Sequence, residues 1–287
     1  MCVYVARTGV VPTVPVAAVG WLTWRGTLAG VPLLSSLIER IDEALKRDDV
    51  KAGVITGEKD NFSGGYDMNA LDELQEGKAG PELIRTLTNI LETARKPFVA
   101  AINGPALGAG FEVAMACNAR IATPTAKLRL PELKLGLIPG GGGTQRLPRL
   151  VGLRNAIEIL LTSKPVHGEE AHKLGLVDAI VPADKLLENA RQMALDIWAR
   201  RKPWVSSLYK TDKLEPLGKA REILNEARGQ APSLQHSQVC LDVIEEGIVS
   251  GPDAGLSKER KAFQILLKSD TCKEGARKRR DQARSRL

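Results

Sequence analysis

The run Phe98-Val99-Ala100-Ala101-Ile102, opened by Pro97 and closed by Asn103-Gly104-Pro105, is apolar at every position. A strand with one wet face alternates apolar and polar residues. One that is apolar throughout is buried on both faces, as in a parallel sheet covered by helices. The flanking sequence fits that setting. Leu34, Leu37, Ile38, Ile41, Ala44 and Leu45 recur at three- and four-residue steps and predict an amphipathic helix over 33–47. Ala52, Val54 and Ile55 predict a strand over 51–56, and a second helix is expected over 82–94. Small residues over 107–117 predict a compact helix, followed by a short strand at 120–122. Such alternation is the pattern of an α/β core. From Pro148 onward the sequence reads as successive helices broken at Gly152, Pro165, Pro182, Pro203, Pro216 and Pro252, with a brief apolar segment over 177–181. The expected organisation is a leader or altered first strand over 1–32, an α/β core over 33–182, a helical region over 183–268 and a basic tail over 269–287.

Composition narrows the class. At 287 residues, with 43% hydrophobic and 26% charged residues, the chain can bury an ample core without staples. The net charge of +7 favours anionic partners, but much of the excess sits in Arg277, Lys278, Arg279, Arg280, Arg284 and Arg286, which reads as a solvated, disordered end. Aromatic residues are only 4% and no stacking platform accompanies the charge, so no nucleic-acid partner is expected. Cys2, Cys117, Cys240 and Cys272 lack metal or disulfide spacing, which implies a reducing compartment. His167, His172 and His236 show no ligand spacing either and read as surface or locally bonded residues, so no metal is expected. The uncharged stretch 8–24 contains Pro12 and Pro15 and falls short of a membrane span.

Chemistry is suggested by two glycine-rich loops and two carboxylates. Phe62-Ser63-Gly64-Gly65-Tyr66-Asp67 and Gly108-Ala109-Gly110 each follow a predicted strand and can bring backbone N–H groups close to a developing negative charge. The plainer readings are a tight turn and close helix packing. Nucleotide motifs fail on spacing: Gln145 stands where the dinucleotide fingerprint needs Gly or Ala, and no loop ends in Gly-Lys-Ser/Thr. No Gly-x-Ser-x-Gly elbow offers a serine nucleophile. Glu112 lies in the apolar segment Phe111-Glu112-Val113-Ala114, and Glu132 follows Pro131 in a similar setting. An ionised group there is costly unless it faces a cleft or a partner, and burial moves a carboxyl towards the range where it both gives and takes a proton. Structural ion pairs to Arg129, Arg146 or Arg149 explain the two carboxylates equally well from the residues alone.

The string 101–117, Ala-Ile-Asn-Gly-Pro-Ala-Leu-Gly-Ala-Gly-Phe-Glu-Val-Ala-Met-Ala-Cys, with Pro131-Glu132-Leu133 and the segment 136–147, resembles the enoyl-CoA hydratase/isomerase (crotonase) family. The resemblance covers about 33–200. The later segments 201–207 and 247–252 look like the amino-terminal hydratase part of plant-type peroxisomal multifunctional proteins of fatty-acid β-oxidation. It implies an α/β, crotonase-like fold, a spiral of ββα repeats followed by a helical C-terminal region. It also implies that the N–H groups of Tyr66 and Ala109 bind a thioester oxygen, with Ala109 where the family usually has glycine, a mild change at negative φ. Glu112 would activate water, Glu132 would protonate the α-carbon, and the Gly140 N–H would help hold the water. Ser63, Gly64, Gly65, Asp67 and Gly108 would contact the substrate and its CoA.

The implied function is hydration of 2-trans-enoyl-CoA, with isomerisation of 3-enoyl-CoA as a second reaction of Glu132. No cofactor is expected beyond the CoA carried by the substrate. The family's first strand, with its Pro-Pro-x-Asn turn, is not recognisable in 1–32, and no dinucleotide-binding domain follows about Lys268, so dehydrogenase activity is not expected. A CoA-binding or interaction protein without turnover is the competing reading. The closing Ser285-Arg286-Leu287 resembles an address read by the peroxisomal import receptor, and the expected location is the peroxisome. Oligomeric state is left open.

Overall fold

The computed structural model describes residues 2–6, 31–58, 60–66 and 80–284. Its first elements are β1 (Cys2–Ala6), α1 (Val31–Lys46), β2 (Ala52–Thr56), α2 (Gly80–Thr93) and β3 (Phe98–Ile102). Then come β4 (Pro105–Leu107), α3 (Ala109–Ala116), β5 (Ala119–Ala122) and β6 (Lys127–Arg129). A 3-10 turn at Glu132–Leu135 leads to α4 (Gly143–Val151), α5 (Leu153–Thr162), β7 (Val166–His167), α6 (Gly168–Leu174), β8 (Ala179–Ile180) and α7 (Leu186–Trp198). The chain closes on α8 (Leu217–Gln230), α9 (Gln235–Val249), α10 (Pro252–Leu267) and α11 (Asp270–Arg284).

The main sheet runs β1-β2-β3-β5-β8, with β2, β3, β5 and β8 parallel and β1 antiparallel at the edge; a smaller sheet orders β4-β6-β7. Every residue of β2, β3 and β5 is buried. Successive side chains point to opposite faces, so the apolar run splits between two layers. Ala52, Val54, Val99, Ala101 and Ile121 pack with Leu186, Ala190, Ala194 and Ile197 of α7, while Ile55, Phe98, Ala100 and Ile102 join the larger core with α1, α2 and α3.

Two expectations are corrected. Of the two alternatives for the amino-terminal segment, a strand is present at Cys2–Ala6, with Cys2 opposite Thr56 and Ala6 opposite Ala52. The basic tail is helical over Asp270–Arg284: Cys272 and Ala276 lie one turn apart and are buried, while Lys273, Glu274, Arg277 and Lys278 are exposed. His236 is buried rather than on the surface, and that burial lowers its pKa. In addition, Pro148 lies inside α4, which starts at Gly143.

Arg146 joins α4 to α2. Its Nε donates to Glu92 Oε2 at 2.8 Å, with the two side chains 2% and 3% exposed, and its Nη1 donates to the Gly141 carbonyl at 2.8 Å. Removing one partner of a buried pair strands the other charge. Arg146→Met is therefore expected to lower unfolding stability by about 3–5 kcal/mol, read from urea denaturation at neutral pH. A loss under about 1 kcal/mol would mean that Glu92 is rehydrated or neutralised at no cost.

Candidate active site

The first glycine loop is fastened to the second through backbone contacts. The Phe62 and Ser63 N–H groups donate to the Pro105 carbonyl, and the Leu107 N–H donates to the Ser63 carbonyl at 2.9 Å. Gly65, at φ 84°, lies so close that a Cβ there would stand 2.8 Å from the Leu107 carbonyl oxygen. A side chain at that position would be strained by its own φ and would push the two loops apart. Ser63 itself is buried, and its Oγ accepts the Gly65 N–H at 3.2 Å; it braces the loop from behind. Asp67 lies outside the described residues.

Between the loops opens a cavity of about 90 Å³. Its wall includes Gly64, Gly65 and Tyr66 from the first loop and Gly108 and Ala109 from the second, together with Glu112, Glu132 and Gly140. Eight of the ten residues singled out from the sequence thus border one space. Ala109 opens α3 and has negative φ, since Ser163 and Arg200 are the only non-glycine residues with positive φ among those described. Its N–H belongs to the first turn of the helix, where backbone donors lack intrahelical acceptors and the dipole favours negative charge.

Glu112 sits one turn into α3 and is 2% exposed. Its Oε1 accepts the N–H groups of Gly141 at 2.7 Å and Gly143 at 2.8 Å. The ion-pair reading fails for this residue: Arg146 pairs with Glu92, Arg129 Nε donates to the Ser163 carbonyl, and Arg149 donates to the Gln145 and Gly247 carbonyls. Burial raises the Glu112 pKa, against the pull of the Gly143 and Gly141 amides and the Arg146 and Arg85 charges.

Glu132 opens the 3-10 turn and is half-buried, less enclosed than its apolar neighbours suggested. Gly108, at φ 51°, lies beneath it, and a Cβ there would come 2.8 Å from Glu132 Oε1. Behind the turn stands α11. A Cβ on Gly275 would meet Leu135 backbone atoms at 2.8–3.0 Å, and one on Gly136 would meet Thr271 Cγ2 at 2.8 Å. The segment expected as a loose tail supports the turn that carries a site carboxylate.

A family model described as enoyl-CoA hydratase/isomerase matches residues 33–247. The chain belongs to the enoyl-CoA hydratase/isomerase family. It is 60% identical over 250 residues to the glyoxysomal fatty acid beta-oxidation multifunctional protein MFP-a of Cucumis sativus. It is 58% identical over 250 residues to the peroxisomal fatty acid beta-oxidation multifunctional protein MFP2 of Arabidopsis thaliana. Both alignments cover 84% of this chain and 34% of the relative, so the chain spans about a third of the length of these curated relatives. Among solved structures it resembles an enoyl-CoA hydratase from Bacillus anthracis, with TM-score 0.55, 28% identity and 88% of each chain covered. It also resembles one from Mycobacterium avium subsp. paratuberculosis K-10, with TM-score 0.60, 25% identity and 87% of this chain and 88% of that chain covered.

In this member of the enoyl-CoA hydratase/isomerase family the cavity wall also includes residues that sequence reasoning missed. Pro81 and Ile84 come from α2, Leu135 ends the 3-10 turn and Leu137 follows it, and Phe263 comes from α10. A Cβ on Gly140 would stand 2.7 Å from the Phe263 ring, so the helical region closes directly onto the Gly140 wall of the cavity. The signal for Phe263 was its spacing with Glu259, Leu266 and Leu267 on one buried face of α10. Among the described residues no cluster of His, Cys, Asp or Glu is arranged to hold a metal ion, and no helix is long and apolar enough to cross a membrane.

Proposed function

We propose that this chain hydrates the double bond of a 2-trans-enoyl-CoA in fatty-acid oxidation. The observation that carries the reading is the single cavity bordered by two carboxylates and by the backbone of two glycine loops. Water adds to C3 while negative charge builds on the thioester oxygen, so the reaction needs donors aimed at that oxygen and groups that move two protons. The Tyr66 and Ala109 N–H groups serve the oxygen, the latter helped by the positive end of α3. Glu112 takes a proton from the attacking water. Glu132 gives a proton to C2, and the sum is water across the double bond.

The apolar wall of Ile84, Leu135, Leu137 and Phe263 suits an acyl chain and keeps bulk water from competing. Glu132, acting between C2 and C4, also supports isomerisation of a 3-enoyl-CoA to the 2-enoyl form. The test is loss of enoyl-thioester absorbance when the purified chain meets crotonyl-CoA and a longer 2-enoyl-CoA. Turnover is expected with both. A folded chain that binds an acyl-CoA without turning it over would favour the binding-protein reading instead.

The proposed location is the peroxisome. The named relatives are glyoxysomal or peroxisomal, and Ser285-Arg286-Leu287 has the form of a receptor-read address, although the tripeptide lies outside the described residues. Deleting Leu287 from a tagged chain is expected to leave it in the cytosol. Unchanged import would assign targeting to some other segment.

A further inference from the structure

Glu259 is a second buried carboxylate at the turn that holds Glu112, and the hydration scheme above gives it no task. It lies on α10, is 1% exposed, and sits one helical turn before Phe263. Its Oε1 accepts the Gly142 N–H at 2.7 Å, and its Oε2 accepts the Thr144 N–H at 3.1 Å and the Thr144 hydroxyl at 2.5 Å. Glu112 Oε1 holds the amides of Gly141 and Gly143. Four consecutive N–H groups therefore go alternately to two carboxylates on different helices.

The two acids also face different spaces. Glu112 borders the substrate cavity, whereas Glu259 borders a second cavity of about 280 Å³, and Gly141 belongs to the wall of both. The turn is thus bonded to both carboxylates at once.

We propose that Glu259 is a positioning residue for Glu112, holding the shared turn Gly141–Thr144 from the side of the second cavity. The proposal rests on the hydratase reading only for its effect on rate. Two like charges this close in a dry setting oppose each other, and a proton bound by one makes ionisation of the other easier. The direction at Glu259 agrees: burial raises its pKa and the charge of Glu112 raises it further, against the Thr144 hydroxyl and the Gly142 and Thr144 amides. Other groups facing it are Arg85 and Glu92 from α2, Arg146 from α4, Tyr209, Cys240 from α9, and Asp253 and Arg260 from α10 itself. Arg146 is already engaged by Glu92 and the Gly141 carbonyl, so it does not cancel the repulsion by pairing with either acid.

Glu259→Gln tests this in the full chain. A glutamine there must turn its NH2 towards one of the N–H groups that the carboxylate accepted, which loosens the turn and removes the charge. For crotonyl-CoA hydration, kcat is expected to fall about 10- to 100-fold with KM within about threefold. The acid limb of the pH profile is expected to move to lower pH, because Glu112 ionises more easily without a negative neighbour. A second readout needs no turnover: carbon-13 spectra of glutamate-labelled free protein, titrated in wild type, Glu259→Gln and Glu112→Gln. Each variant is expected to lower the titration of the acid that remains. If Glu259→Gln does not fold, Thr144→Val removes the hydroxyl donated to Glu259 and is expected to move the Glu112 titration in the same direction by a smaller amount. Carboxyl titrations that stay in place overturn the proposal whether or not the chain is a hydratase. Linked titrations in a chain that never hydrates would sustain the proposal and overturn the hydratase reading.

Discussion

Glu112→Gln is expected to lower kcat for crotonyl-CoA hydration by about 100- to 10,000-fold, the range of a lost general base. The fold should survive. The two amides of Gly141 and Gly143 both end on Oε1, and a glutamine carbonyl oxygen placed there accepts the same pair at the same distances. The atom standing for Oε2 becomes an NH2, which has no lone pair free to take a proton from water. Substrate still meets the same walls and backbone donors, so KM should change little. A kcat within about tenfold of wild type in a folded variant would remove Glu112 from the mechanism.

Glu132→Gln is expected to reduce hydration by a similar factor of about 100 to 10,000 and to abolish isomerisation as well. The two variants separate the roles. Isomerisation moves a proton between C2 and C4 without consuming water, so it depends on Glu132 and should be less affected by Glu112→Gln. Parallel assays with a 2-enoyl-CoA and a 3-enoyl-CoA read the difference. If both variants lost both reactions equally, the carboxylates would be working as one unit and the division of labour would fall.

How much of this was legible in the sequence depends on whether local pattern and tertiary role agreed. Phe98–Ile102 reads as a doubly buried strand because it is apolar at every position, and both layers that it contacts are there. The Leu34, Leu37 and Ile41 stripe of α1 was equally plain. Glu112 stood out because a carboxylate between Phe111 and Val113 has few bland explanations, and the structure supplies an unusual one in two backbone amides. Its ion-pair alternative failed because the neighbouring arginines are bound elsewhere.

The misses have physical reasons too. Cys2–Ala6 is a short strand whose partner lies some fifty residues away, so nothing local marks its register. In α11 the lysines and arginines mask the narrow stripe of Cys272 and Ala276 that docks behind Glu132. Glu259 lies within Ser257-Lys258-Glu259-Arg260-Lys261, a string that reads as a solvated helix face. Only the four-residue step to Phe263 shows that one side of α10 points inward.

The most direct test of the central claim is hydration of crotonyl-CoA by the purified chain in D2O, followed by proton NMR. The account predicts 3-hydroxybutyryl-CoA carrying a single deuteron at C2, formed by wild type and not by Glu132→Gln, because the C2 proton comes from a solvent-exchanged carboxyl. Folded wild-type protein that returns crotonyl-CoA unchanged, or a Glu132→Gln variant that forms the same labelled product at the wild-type rate, would contradict it.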